Sequence, residues 1–365
     1  MSIRRIAICT GGGDAPGLNA VIRAVVLAAE QRGWDCLGIR DGYNGLLQPD
    51  EYAEGVVKLS RETVRGITHL GGTILGTTNR GNPLSFPITG EDGVVREVDR
   101  SDELVQKLQV RGIDALIAVG GDGSMAIAHA LCQKGVRVVG VPKTIDNDLV
   151  GTSVTFGFNT ASSFATLAID RLHSTAEAHR RVMVVEVMGR YAGWIALYSG
   201  VAGTADVILI PEIPYDYDEV ANKIRTRNQA GYDFSIVVVA EGARPRGGEL
   251  SVREREVGSA ERLGGAGEKV AAEIEARTGQ DTRVVVLGHL QRGGSPSTWD
   301  RLLALRFGAA AVRALDKGQD GVMVALDPPT VRYVSLEEAT ERTKTVPLDH
   351  DLILTARDLG ISFGD

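Results

Sequence analysis

Three kinds of feature are scarce or absent in this chain: cysteine, a long apolar run and a basic block. The 365 residues include only Cys9, Cys36 and Cys132. An odd number without metal-ligand spacing offers neither a disulfide framework nor a zinc site, and reduced thiols in a cytoplasmic protein are the expectation. No apolar stretch is long enough to cross a bilayer. Met1 to Ile6 leads directly into a strand pattern, which is not how a secretory leader reads. The 40 Lys and Arg and 47 Asp and Glu are interspersed, giving a net charge of −7 and no nucleic-acid footprint. Known catalytic signatures are missing too. Lys143-Thr144 follows Pro142, so the Walker A test fails. Pro16 stands where the last glycine of a dinucleotide fingerprint begun at Gly11 and Gly13 would fall. His-Glu-x-x-His does not occur.

Glycine, by contrast, is plentiful at 45 residues, much of it placed directly after strand-like runs. Apolar β-rich runs alternate with helical patterns nearly throughout, which predicts βαβ units and a mostly parallel sheet. The length leaves room for two domains or one large α/β body. Ile6 to Thr10 runs into Gly11-Gly12-Gly13-Asp14, then into a helical face of Leu18, Val21, Ile22, Val25 and Val26. Ala115 to Val119 runs into Gly120-Gly121-Asp122-Gly123-Ser124 and a helix from Met125 to Lys134. Glycines at a strand-to-helix turn let backbone N–H groups converge on an anion. Pro83 to Arg100 is polar and turn-rich and is expected to be an inserted surface segment, and Arg244 to Gly267 a loop.

The most informative stretch is Val141 to Asp148. Lys143, Thr144, Asp146, Asn147 and Asp148 crowd one turn after the strand-like run Val136 to Val141. Such density suits phosphoryl transfer, which needs a positioning group for a hydroxyl, a metal seat and donors for moving negative charge. Downstream strand ends carry Arg190, Glu241, His289 and Arg292, while Arg181 and Arg283 lie at strand starts. Ligands of open α/β sheets sit beyond the carboxyl ends. Asp122 can be a helix N-cap, a magnesium ligand, or both. Glu241 can cap a turn or accept bonds from sugar hydroxyls.

Five segments together resemble the 6-phosphofructokinase family: residues 11–20, 120–124, 142–148, 188–193 and 287–296, in the family's order. The resemblance implies an α/β fold of two similar three-layer Rossmann-like lobes with mostly parallel sheets. It implies a nucleotide-binding lobe of residues 1–157 plus about 290–341, and a fructose 6-phosphate lobe of about 158–289 plus 342–365. It implies transfer of the γ-phosphoryl of ATP to the 1-hydroxyl of fructose 6-phosphate, with Mg2+, in the cytoplasm. Asp146 matches the base, Asp148 its partner near the metal, and Thr144 the hydroxyl holding the phosphoryl group. Arg190 matches the charge-stabilising arginine and Asp122 the magnesium carboxylate. Gly13, Tyr43, Arg80, Gly121, Gly123 and Ser124 match the nucleotide side. Arg181, Met188, Gly189, Glu241, Arg283, His289 and Arg292 match the sugar side, with Arg181 and Arg283 supplied by a neighbouring subunit of a homodimer or homotetramer.

Two departures from the common bacterial pattern stand out. Gly123 is typical of ATP users, since a carboxylate there would crowd and repel the nucleotide α-phosphate. Lys143 is typical of pyrophosphate users, or serves as an extra phosphate contact. The expectation is ATP as donor, with a pyrophosphate-dependent enzyme and a non-catalytic sugar-phosphate sensor as the alternatives. Arg23 and Arg61 match two effector-site arginines, whereas Leu27 and His173 replace two others, which puts control by ADP and phosphoenolpyruvate in question.

Overall fold

The computed structural model describes residues 3–52, 54–254 and 262–365. Arg5–Thr10, Ala115–Gly120 and Val138–Thr144 are buried almost throughout. They read as continuous apolar runs because a central parallel strand is covered on both faces. Among the described residues the first sheet runs Thr330–Ser335, Val322–Asp327, Val138–Thr144, Ala115–Gly120, Arg5–Thr10, Asp35–Ile39, Val56–Leu59. A short strand, Phe156–Gly157, adds to Val138–Thr144. Both edge strands are antiparallel and the interior pairs parallel. Side chains alternate between faces with the period of two that a strand imposes. Ile6 and Ile8 pack with helices Leu18–Glu30 and Thr298–Asp316, while Ala7 and Cys9 pack with Ser101–Val110 and Asp122–Gln133.

A second, fully parallel sheet runs Val207–Leu209, Ser235–Ala240, Val182–Val187, Thr282–Val286. Its core draws on helices Phe158–His179, Trp194–Ala202, Tyr217–Gln229 and Ala266–Thr278. The last helix, Asp351–Asp358, packs onto Trp194–Ala202, and Ser362 bridges to Val207. The expected fold class is therefore found: two layered α/β lobes with mostly parallel sheets. No helix among the described residues is long and apolar enough to cross a membrane.

Three local expectations need correction. Lys143 and Thr144 are the last residues of the strand, not part of the turn after it. The segment from Pro83 to Arg100 contains an antiparallel hairpin, Phe86–Thr89 with Val95–Val98, anchored by buried Phe86 beneath the Arg100 guanidinium. Within Arg244 to Gly267, Val252–Glu254 pairs with Arg262–Leu263, and residues 255–261 lie outside the described residues.

Candidate active site

The parallel strands of both sheets deliver their carboxyl ends to one cleft of about 900 Å3. That is ample for a nucleotide-sized ligand. On one wall stand Gly11, Gly12 and Gly13, then Tyr43, Arg80 and Gly121 to Ser124. On the other stand Met188, Arg190, Glu241, His289 and Arg292, with Lys143, Thr144 and Asp146 between the two. So most of the residues singled out from the sequence converge on one space.

The carboxylate turn is shaped by its own polar groups. Asp146 N–H donates to the Thr144 hydroxyl at 3.0 Å. Thr155 hydroxyl donates to the Thr144 carbonyl at 2.7 Å, and Thr155 N–H donates to Asn147 Oδ1 at 3.1 Å. Asn147 takes a left-handed φ of 54°, which reverses the chain between the two aspartates. Burial raises the pKa of Asp146 against the pull of Arg292 and Arg190. Burial, then the Asp146 and Asp122 charges, raises that of Asp148. Among the described residues Oδ1 of each aspartate is buried without a hydrogen-bond partner. Asp148 does not line the cleft; it sits behind Asp146.

The glycine loops are held from below. Lys143 Nζ donates to the carbonyls of Gly11, at 3.0 Å, and Gly13. Burial, helped by the Arg292 charge, pushes this ammonium down to about 8. Arg292 donates to the Asp14 carbonyl at 3.0 Å, and its guanidinium would lie 2.5 Å from a Cβ placed on Gly13. A Cβ at 13 would therefore push aside the guanidinium end of the Arg292 side chain. Gly123 differs: a Cβ there would meet nothing within 4 Å. Asp122 opens the helix Asp122–Gln133, exposed to the cleft, but the N-cap position belongs to Gly121.

On the opposite wall Arg190 also has a left-handed φ, 51°, and its N–H donates to Glu241 Oε1 at 3.0 Å. Burial pushes the Glu241 carboxyl up to about 7. Met188 N–H donates to Gln291 Oε1 at 2.9 Å. Glu186 accepts N–H bonds from Gly265 and Gly267, which fixes the start of helix Ala266–Thr278 against the cleft. Gly189 is buried and shapes the loop backbone, with φ 140°.

Arg181 and Arg283 are not brought in. Both ion-pair with Asp281 beside the starts of their strands, and a strand of six residues spans roughly 20 Å. Arg23 and Arg61 are also engaged within the chain, by the Val64 carbonyl and by Glu30. His173 contacts the Gly203 carbonyl. Sequence reasoning missed Gln291, Glu186, Glu212 and Lys344, and missed Asn82, Ser85 and Glu97, which bring the hairpin segment to the cleft. Gln291 lies within the 287–296 segment, between His289 and Arg292. The others act through long-range contacts without a local signal.

A buried carboxylate beside a hydroxyl, guanidinium groups and glycine-lined anion seats constitute equipment for moving a phosphoryl group. A model of the family described as Phosphofructokinase matches residues 5–315. The chain is 53% identical over 366 residues to the ATP-dependent 6-phosphofructokinase of Chloroflexus aurantiacus, covering 99% of this chain and 98% of that one. It is 51% identical over 348 residues to the pyrophosphate–fructose 6-phosphate 1-phosphotransferase of Amycolatopsis mediterranei, covering 94% and 97%. Among solved structures, T-state phosphofructokinase of Pichia pastoris aligns with a TM-score of 0.80 at 30% identity, over 93% of this chain and 36% of that chain. The chain belongs to the phosphofructokinase family.

Proposed function

We propose that the protein is an ATP-dependent 6-phosphofructokinase that converts fructose 6-phosphate to fructose 1,6-bisphosphate. Relatives of nearly equal identity carry names with different donors, so the names do not select one. The observation that carries the donor is the pair Gly123 and Lys143. A Cβ on Gly123 would meet no protein atom within 4 Å, so the room there is open to a ligand whose phosphates a carboxylate would crowd and repel. The Lys143 ammonium, the feature suggestive of pyrophosphate, is already bound to two glycine-loop carbonyls. It braces the loop whose Gly11 and Gly12 N–H groups bond the Val119 and Thr78 carbonyls.

In this reading Asp146 takes the proton of the sugar 1-hydroxyl as its oxygen bonds to the γ-phosphorus. The bond from phosphorus to the β,γ-bridging oxygen breaks, and ADP leaves with the electron pair. Thr144 holds the phosphoryl group, and Arg190 faces its equatorial oxygens, presented by the loop that Glu241 grips. Arg292 and Arg190 both favour the ionised form of Asp146, opposing its burial. Glu241, Met188, Gly189, His289 and Arg292 seat the sugar phosphate. Gly13, Tyr43, Arg80, Gly121 and Ser124 seat the nucleotide.

Mg2+ suits one exposed carboxylate plus phosphate oxygens, and Asp122 at the cleft offers the carboxylate. The unpartnered oxygens of Asp146 and Asp148 fit a nearby cation. When bound, the metal neutralises phosphate charge.

The lobe of residues 1–157 plus about 290–341 binds the nucleotide and the remainder binds the sugar. Arg181 and Arg283, remote from the cleft of their own chain, complete a neighbour's sugar site in a homodimer or homotetramer. Exposed Leu290, Trp299 and Leu302 follow the strand Thr282–Val286 that carries Arg283 and supply apolar surface for that contact. The protein works in the cytoplasm.

The test is purified protein with fructose 6-phosphate and Mg2+, offered ATP or pyrophosphate separately. Bisphosphate formed with ATP is expected. Formation with pyrophosphate and none with ATP overturns the donor assignment. Sugar binding with no product from either donor replaces the enzyme by the sensor.

A further inference from the structure

Residues 343–346 belong to no motif above, yet they thread between the two halves of the site. Thr343 forms an antiparallel bridge with Leu149. Lys344 N–H donates to the Asp148 carbonyl at 2.7 Å, and the Lys344 carbonyl accepts the Trp194 indole N–H at 2.9 Å. Val346 N–H donates to Glu212 at 2.8 Å, and the same carboxylate accepts the Gly193 N–H. Gly193 and Trp194 directly follow the loop that presents Arg190. The strap therefore ties the aspartate turn of one lobe to the arginine loop of the other.

The Lys344 side chain turns inward. Its Nζ donates to the carbonyls of Ser153, at 2.7 Å, and Thr152, at 3.0 Å, and to Asn147 Oδ1 at 3.3 Å. It lies 5.2 Å from the centre of the Trp194 ring. Asn147 is the left-handed residue between Asp146 and Asp148, and its Oδ1 is shared between Lys344 and the Thr155 N–H. Burial pushes the ammonium down to about 8, while the Asp148 charge pulls the other way. Desolvating an ammonium is costly, and a neutral side chain would fill the space without that cost.

We propose that Lys344 is a positioning residue for the phosphoryl transfer. Seated behind the turn, it locks Asn147, supplies positive charge to the Asp146–Asp148 pair, and through the strap keeps those aspartates in register with Arg190. The kinetic part rests on the phosphotransferase reading; the geometric part does not.

Two substitutions separate charge from bulk. Lys344→Met keeps the stem and removes the ammonium; Lys344→Arg keeps a cation. In Lys344→Met, kcat should fall roughly 100-fold with the KM for fructose 6-phosphate within about threefold of wild type. Lys344→Arg should recover most of that loss. A Lys344→Met kcat within about twofold of wild type overturns the proposal, as does Lys344→Arg behaving no better than Met.

Hydrogen exchange provides a readout independent of turnover. Amides of residues 145–155 should exchange about tenfold faster in Lys344→Met and near the wild-type rate in Lys344→Arg. Unchanged exchange in Lys344→Met overturns the proposal even in a chain that transfers no phosphoryl group. A wild type inactive with both donors, but with this exchange difference intact, sinks only the assigned reaction. Should Lys344→Met not fold, Trp194→Phe decides: it removes the indole donor to the strap and trims the ring beside the Lys344 ammonium while leaving that ammonium in place. Faster exchange over 145–155 is expected there, and unchanged exchange refutes the strap.

Discussion

The two walls of the cleft are built on opposite plans. The wall beneath the first sheet works by lacking side chains. Gly11, Gly12, Gly13, Gly121 and Gly123 bring backbone without side chains to the cleft, with the Gly11 and Gly12 N–H groups bonded to the Val119 and Thr78 carbonyls and Lys143 bound to the carbonyls of Gly11 and Gly13. The wall beneath the second sheet works through side chains, namely Arg190, Glu241, His289 and Arg292. Buried polar residues support it from behind: Gln291 grips Met188 and Glu186 grips the helix after Gly265. A wall without side chains lets a long polyanion approach the backbone closely, whereas a wall of side chains can discriminate among sugars by shape and charge. Damage should follow the plan, with additions harming the first wall and deletions the second.

The largest effect belongs to the residue between them. Asp146→Asn keeps size and the hydrogen bond to Thr144 but cannot take a proton. Turnover should fall about 10^3-fold with the KM for sugar nearly kept. Steady-state kinetics with a binding titration would check it. If binding collapsed in step with turnover, Asp146 would belong to the sugar wall rather than stand between the walls.

Next comes an addition to the bare wall. Gly123→Asp adds a carboxylate where the protein leaves open space, in a residue with no positive φ. Turnover with ATP should drop about 100-fold while the melting temperature stays within a degree or two, since the like charges cost several kcal/mol only when the nucleotide is present. Full ATP turnover in that variant would show that the openness at Gly123 does not concern the donor. A large fall in melting temperature would show that the glycine serves packing, and the contrast between the walls would weaken.

Much of this was legible in the sequence because local rules governed it. Glycines after apolar strands announced the bare wall, and the apolar alternation announced the sheets. The chemistry of the Pro142–Asp148 run was visible as well. What stayed hidden was long-range. Lys344 meets Asn147 across nearly 200 positions, and Glu212 meets Val346 across 134, with nothing nearby to mark either. The bonds of Lys143 were hidden for a related reason. Its charge suggests a ligand, but the fold brings two carbonyls to it from a loop 130 and 132 residues away. The hairpin around Phe86 was missed because its strands are short and the second, Val95–Val98, is exposed throughout, leaving little apolar pattern to read.

The smallest effect concerns stability, and here the walls should respond to pH with opposite signs. Glu241, on the side-chain wall, has its folded pKa raised from 4.5 to about 7. Between those values the native state holds a proton that the unfolded chain has lost, so this group's contribution to stability falls as pH rises from 4.5 to 7. Lys143, under the bare wall, has its folded pKa lowered from 10.5 to about 8. Between pH 8 and 10.5 the unfolded chain holds the extra proton, so this group's contribution rises with pH. Each limb is limited to about 1.4 kcal/mol per pH unit per group. The raised pKa values of Asp146 and Asp148 add to the acid limb, and that of Lys344, lowered to about 8, adds to the alkaline one. Melting temperatures of the ligand-free protein at pH 5.5, 7.5 and 9.5 should therefore pass through a minimum near the middle value. Glu241→Gln retains an acceptor for the Arg190 N–H and should shrink the difference between pH 5.5 and 7.5, leaving the alkaline limb alone. Lys143→Met should do the reverse. Equal flattening of both limbs by either substitution would mean that the two walls share one electrostatic environment, and the division between them would be one of shape only.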